Sequence, residues 1–416
     1  MRIKNVHRLL IAAVVLVLSL AANASAQKKI LAEITVSESS GLERDLEYVE
    51  FPLQIPLAGA ASKEPELAAI DKNTDGRIAC QIMPMQNFPA KNLRIVQIIF
   101  PLSMQANAVR TFELREEIAV QGQKPNISMR GTGLDLIIEN QYYRADLSRR
   151  SEPEPKTHAS GQLQELLIKM GFNQLLTNAE DRVHWAPNFK REELEWYTTI
   201  AHWENPKEYK VNSGDYLIQT FRRDTAPDHP EIMLTAVYNF YAGLPFFTFY
   251  SEMEFIQDLP LELLRNDEMT TDSMFTHLVF QRPTGEVVEV QFKDRYKLLE
   301  EQPIEDDAPW ICFYNIEEGF AFGSIRLRYD NYNRSGELSP TYLPHTAIGE
   351  WLDRKYWNRR LIHDHLVGIP AGSRYIEENA YLVFKIGEAD RLEAIKRWAG
   401  RLSNPLKVSV HPGEEM

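Results

Sequence analysis

Apolar and polar residues take turns along most of this chain. Stretches 34–36, 48–51, 93–100 and 111–114 alternate as half-buried strands do, because successive side chains of an extended backbone point to opposite faces. From residue 134 onward the candidate strands lengthen and fill with Tyr and Phe: 134–138, 216–221, 232–241, 246–256, 275–280, 287–292, 310–314 and 320–327. Aromatic residues at that density suit broad pleated faces. Helical spacing is scarce, with a short candidate at 161–170 and a clearer one at 388–402. In the latter, Leu392, Ile395, Trp398, Ala399 and Leu402 share a stripe that Asn404-Pro405 terminates. Many long antiparallel strands and few helices predict a mostly-β chain built on a large antiparallel β-sandwich. A propeller is the alternative, but no blade-length repeat is visible.

The chain divides into three parts on this reading. Residues 1–26 have a basic start (Arg2, Lys4, Arg8), an apolar run to Ala22 and small residues ending at Ala24-Ser25-Ala26, the layout of a cleaved export signal. The apolar run is short for a membrane span, so the expectation is a periplasmic or extracellular protein cleaved near Ala26, with no span in the mature form. Residues 27–125 form a smaller N-terminal β module, and 126–416 a large sandwich with a C-terminal helix. The formal charge of −13 argues against nucleic acid as a partner, and cleavage would make the chain more acidic still. Cys80 and Cys312 are the only cysteines, enough for one disulfide or two free thiols.

Three local patterns carry a resemblance. Ser40-Gly41-Leu42-Glu43-Arg44 with Val49-Glu50-Phe51-Pro52-Leu53, the stretch 71–77, and Gln81-Ile82-Met83-Pro84 resemble the entry strands of retaining α-mannosidase sandwich domains and of several bacterial polysaccharide lyase-like families. Ile138-Glu139-Asn140-Gln141-Tyr142-Tyr143-Arg144 resembles the strand that opens their large supersandwich. Ser373-Arg374-Tyr375 followed by Glu378-Asn379-Ala380-Tyr381-Leu382 resembles a closing strand of secreted glycan-processing proteins. The resemblance implies a galactose-mutarotase-like supersandwich and a carbohydrate partner; none of the three patterns carries a catalytic residue.

Candidate chemistry lies in several clusters. Asp71-Lys72-Asn73-Thr74-Asp75-Gly76 begins like a calcium loop, but Ile82 stands where the bidentate Glu belongs, which favours a tight turn. His363 and His365 flank Asp364. On an uninterrupted strand both imidazoles share a face, the start of a divalent-metal site or a hydrogen-bonded structural pair. Nearby lie His345, Trp351, Tyr356, Trp357, Arg359 and Arg360, an aromatic and basic group suited to stacking on sugars and pairing with carboxylates; a surface with snorkelling arginines explains it equally well. Arg265-Asn266-Asp267-Glu268 forms a polar run, and His277 sits in an aromatic strand. Glu252 and Glu254 share a strand face. The pairs His184-Trp185 and His202-Trp203 either line a groove or simply pack. No nucleophile elbow, phosphate-binding glycine loop or dinucleotide fingerprint occurs.

These clusters point first to β-elimination at a uronic acid in a polysaccharide or oligosaccharide. Arg359 or Arg360, with Asn266, would neutralise the uronate carboxylate, His277 or His345 would be the base and Tyr356 the acid. Arg265, Glu268, Trp351 and Trp357 would complete the sugar contacts. The alternatives are a glycoside hydrolase using two of Glu252, Glu254, Asp267 and Glu268, and a glycan-binding protein without turnover.

Overall fold

The computed structural model describes residues 29–57, 64–117, 126–147, 160–171, 174–175, 183–203, 206–294, 303–351 and 353–413. The expected export signal and the expected boundary at residues 125–126 lie outside or at the edge of the described residues. The chain forms two compact units, one from Met1–Gln123 with Leu406–Met416, the other from Lys124–Pro405.

The smaller unit is a seven-stranded antiparallel sheet ordered Arg44–Pro56, Leu93–Met104, Arg77–Phe88, Leu67–Asp71, Val109–Glu116, Ile30–Ser37, Lys407–Pro412. Its core collects the apolar half of each alternation, including Ile34, Val36, Phe51, Val96, Ile98, Phe100, Phe112 and Leu114. The 71–77 stretch is a turn. Asp71 Oδ1 accepts from the backbone N–H of Asn73 and Thr74 (2.8 and 3.3 Å), and its other oxygen is held by Arg110.

Among the described residues the larger unit contains three antiparallel sheets. Nine strands run in the order Glu208–Ser213, Leu217–Ala226, His229–Tyr241, Phe246–Phe255, Arg374–Lys385, Phe320–Asp330, Trp310–Asn315, His277–Gln281, Val287–Gln291. Six run Thr198–Thr199, Asn188–Lys190, Leu259–Thr271, Arg354–Ile369, His345–Trp351, Ile304–Glu305, and a five-stranded sheet is built on Asp135–Asn140 and Tyr143–Leu147. The six- and nine-stranded sheets pack face to face as a large β-sandwich. Trp357 of the former meets Phe313 and Phe322 of the latter at 4.7 and 5.6 Å between ring centroids. Strand Trp310–Asn315 is buried at every position and His229–Tyr241 at almost every second one, as central and half-covered strands require. The Asn140-to-Tyr143 pattern pins the five-stranded sheet to the nine-stranded one. Asn140 Nδ2 donates to the carbonyls of Tyr241 and Leu244 (3.0 and 2.9 Å), while its Oδ1 accepts from the N–H of Tyr142 and Tyr143.

One α-helix is present among the described residues, Glu393–Ser403, with Ile395 and Trp398 buried and the Trp398 ring edge-on to Phe246. The other expected helix, 161–170, is instead the strand Leu163–Ile168 paired with Tyr143–Leu147. Leu163, Gln164, Glu165 and Leu166 are all buried, so the segment has no solvent face of the kind an amphipathic helix keeps. Both cysteines are free thiols, Cys312 buried in the larger unit and Cys80 half-buried in the smaller. Among the described residues no helix is long and apolar enough to cross a membrane.

Candidate functional site

The two central strands of the six-stranded sheet, Leu259–Thr271 and Arg354–Ile369, fall out of register at three places, and the last of them shapes the site. Asn266 pairs with Arg359 and Met269 with Trp357, so Asp267 and Glu268 together oppose the single residue Asn358. Asp267 takes a left-handed backbone conformation there (φ +46). A bulge of this sort re-aims side chains, and the two adjacent carboxylates leave in different directions. Asp267 turns inward and accepts hydrogen bonds from Tyr381 Oη (2.9 Å), Trp357 Nε1 and Ser324 Oγ (both 3.2 Å). Burial, with Glu377 adding to it, pushes its carboxyl up to about 7.

Glu268 turns the other way, into a cavity of about 460 Å³ lined by Trp185, Trp196, Tyr197, His202, Arg265, Glu268, Thr270, Arg354 and Tyr356. Glu268 is 5% exposed, and its carboxyl accepts from Asn188 Nδ2 at 2.7 Å and stands 3.6 Å from Arg265 Nη1. Burial outweighs the nearby guanidiniums of Arg265 and Arg360 and pushes it up to about 7. One cavity wall comes from the segment that follows His184. Trp185 N donates to the Glu268 carbonyl (3.1 Å), Thr199 Oγ1 donates back to the Trp185 carbonyl, and His202 stands edge-on to Trp185. The Arg265 guanidinium lies 5.5 Å from the Tyr197 ring centre. The opposite wall is Tyr356, whose ring rests on Gly349 of the neighbouring strand. A Cβ at Gly349 would fall 1.9 Å from Tyr356 Cζ, so the ring takes this place only beside glycine.

Of the residues singled out from sequence, Trp185, His202, Arg265, Glu268 and Tyr356 meet in this cavity. Along the same strands, His345 pairs with Arg360 and Arg360 with Arg265, and His363 lies beside them. Others lie elsewhere. Asn266 donates to Ser251 Oγ between the sheets, Trp357 is fully buried, and Arg359, 1% exposed, is bound at 2.6 Å to Glu377 inside the sandwich. His277 is in the nine-stranded sheet, bonded to Thr276 Oγ1 at 2.8 Å. Glu252 is paired with Arg374 and Glu254 with Arg334. A left-handed residue at Asp364 (φ +52) interrupts the alternation expected to align His363 and His365; His365 stacks on Tyr342 instead, at 3.9 Å. Among the described residues, no group of three or more His, Cys, Asp or Glu side chains is placed to hold a metal ion. The backbone of Trp351 closes its strand, and its side chain lies outside the described residues. Trp196, Tyr197, Thr270 and Arg354 complete the lining and are not among the candidates named from the sequence.

Chemically, the cavity offers flat apolar walls, two guanidiniums and a carboxyl that exchanges its proton near neutral pH, the combination suited to binding a ring-shaped polar molecule and moving a proton on it.

No family model matches the chain, and no curated protein does. Among solved structures, a glycosyl hydrolase family 38 protein from Enterococcus faecalis aligns over 92% of this chain and 48% of its own, at 12% identity and TM-score 0.50. An alpha-mannosidase from Enterococcus faecalis V583 aligns over 92% and 46%, at 10% identity and TM-score 0.53. A galactose mutarotase-like protein from Lactobacillus casei aligns over 62% of this chain and 100% of its own, at 9% identity and TM-score 0.35. The chain thus spans about half the length of the first two, and what it shares with them is the fold.

Proposed function

We propose that this chain is a carbohydrate-active protein that holds a sugar ring in the cavity on the outer face of the six-stranded sheet, with Glu268 as the proton-transferring group. One observation carries the reading: a carboxyl brought to about 7 by burial opens among the aromatic side chains of Trp185, Trp196, Tyr197 and Tyr356. The apolar C–H faces of a pyranose pack against such rings, and a group titrating near the working pH serves well as general base or acid. Two of the structures that share the fold are by name a family 38 glycosyl hydrolase and an alpha-mannosidase, which supports a carbohydrate ligand.

The reaction we favour is β-elimination at a uronic acid. Arg354, two residues before Tyr356 on the same strand, neutralises the sugar carboxylate. Ionised Glu268 takes the proton from the carbon beside that carboxylate. The electron pair left behind forms the new ring double bond as the C–O bond to the neighbouring sugar breaks, and the Tyr356 hydroxyl protonates the departing oxygen. Hydrolysis by a carboxylate pair has less support, because among the described residues Glu268 is the one carboxylate in the lining. An export signal at residues 1–26 puts this chemistry outside the cytoplasm.

Incubation with a panel of uronate-containing and neutral glycans tests the reading. We expect products that carry the ultraviolet absorbance of the new double bond, lost in Glu268→Gln and strongly reduced in Tyr356→Phe. New reducing ends without that absorbance would indicate hydrolysis. Binding with no product would leave a sugar-binding protein and refute the catalytic role of Glu268.

A further inference from the structure

The register of the six-stranded sheet lines up one row of residues across four adjacent strands. Asn188 pairs with Arg265, Arg265 with Arg360, and Arg360 with His345. Directly opposed residues of antiparallel strands project from the same face, with Cβ atoms about 5 Å apart. Two guanidiniums are therefore neighbours on the face that carries the cavity, and each stands in the other's field. Neither is fully matched. Arg265 Nε is buried without a hydrogen-bond partner, and its contact with Glu268 is a loose 3.6 Å. Among the described residues, the hydrogen bond of the Arg360 side chain is from Nε to Asn358 Oδ1 at 3.0 Å. The nearby carboxylates are Glu268, which holds its proton up to about 7, and Asp364, whose side chain is 84% exposed and lies 3.0 Å from His363 Nε2. The chain as a whole is acidic at −13, so two adjoining cations with so little local compensation stand out against it.

Two like charges held together on a sheet face cost stability unless something anionic sits between them. Guanidinium is also the side chain that matches a carboxylate or sulfate with paired N–H donors. We propose that Arg265 and Arg360 bind an anionic substituent, a carboxylate or sulfate, on the sugar unit next to the one in the cavity. The substrate is then an acidic glycan of at least two units lying across the strands. This rests on the cavity's being the sugar site, and it adds a second anionic group, on the unit beside the one in the cavity.

The test compares binding of a uronate tetrasaccharide, its methyl ester and a sulfated tetrasaccharide to the wild type, Arg360→Gln and Arg360→Lys, each first checked for folding by circular dichroism. The wild type should bind the acidic ligands more tightly than the ester. Arg360→Gln should cost about tenfold for the acidic ligands while leaving the ester unchanged, and Arg360→Lys should recover part of the loss. The two acidic ligands decide between carboxylate and sulfate. An equal loss for ester and acid, or no loss for either, overturns the proposal. Should no oligosaccharide bind, the sugar reading itself fails, and the anion site is tested alone by titrating inorganic sulfate, then acetate, against the imidazole NMR signals of His345 and His363. A saturable shift that Arg360→Gln abolishes supports the anion site, and its absence refutes it.

Discussion

The near-neutral carboxyl of Glu268 makes a prediction independent of any substrate. An ordinary Glu titrates near 4.5, and this one at about 7 in the folded chain. Below 4.5 it is protonated whether the chain is folded or unfolded, and its favourable contribution is complete. Between 4.5 and 7 the unfolded chain loses the proton while the folded chain keeps it. Stability then falls as pH rises, by about 1.4 kcal/mol per pH unit, and above 7 the accumulated cost levels off at about 3 kcal/mol. Glu268→Gln removes the titration while leaving an amide oxygen for Asn188. All seven tryptophans lie in the larger unit, so urea unfolding followed by tryptophan fluorescence reports on the unit that holds Glu268. From pH 5 to pH 8 the variant should gain about 2–3 kcal/mol relative to the wild type, most of it before pH 7. A wild-type-to-variant difference that stays constant across this range would refute the burial argument and, with it, the case for Glu268 as the proton carrier.

Other expectations follow from particular contacts. Gly349→Ala should cost about 1–3 kcal/mol by displacing the Tyr356 ring, and Tyr356→Ala in the same chain should restore most of it; thermal melts of the single and double variants decide. Arg359→Met should lose about 3–5 kcal/mol by leaving Glu377 buried and unpaired, and adding Glu377→Leu should recover much of that, with ligand affinity per folded molecule unchanged in the double variant. Trp185→Ala should lower sugar affinity about tenfold with little change in melting temperature. Trp203→Ala, which truncates a core ring, should do the reverse, losing about 3–5 kcal/mol. Burial raises both thiols, Cys80 to about 12, so alkylation of the native chain should be slow, with identical migration on reducing and non-reducing gels.

Much of the architecture could be read from alternation, because a strand with one covered face writes a period of two into its sequence. The run 232–241 is the clear case. Leu163–Ile168 escaped, since burial on both faces, Gln164 and Glu165 included, erases that period, and Leu163, Leu166, Leu167 and Met170 stand at the spacing of a helix stripe. At the site, Glu268 and Asp267 were visible as a polar run, but only the bulge decides which of them faces out. Arg359 and Arg360 present the same problem in simpler form: neighbours on a strand point opposite ways, so one enters the sandwich and the other reaches the surface. The two His-Trp pairs split likewise. Trp185 and His202 line the cavity, while His184 and Trp203 are buried. Trp196 and Tyr197 had a detectable signal, two large rings ending the charged run Arg191-Glu192-Glu193-Leu194-Glu195. Arg354 had none, because its place depends on a pairing that no local pattern records.

The sheet of the smaller unit takes its outermost strand, Lys407–Pro412, from sequence that follows the entire larger unit. During synthesis the other six strands emerge first, and Ile30–Ser37 must wait with a bare row of amide and carbonyl groups until the far end of the chain arrives. A ladder left open in that way can accept the same strand from another molecule. Clipping the chain after Pro405, or crowding nascent copies together, would thus turn a private closure into exchange between chains.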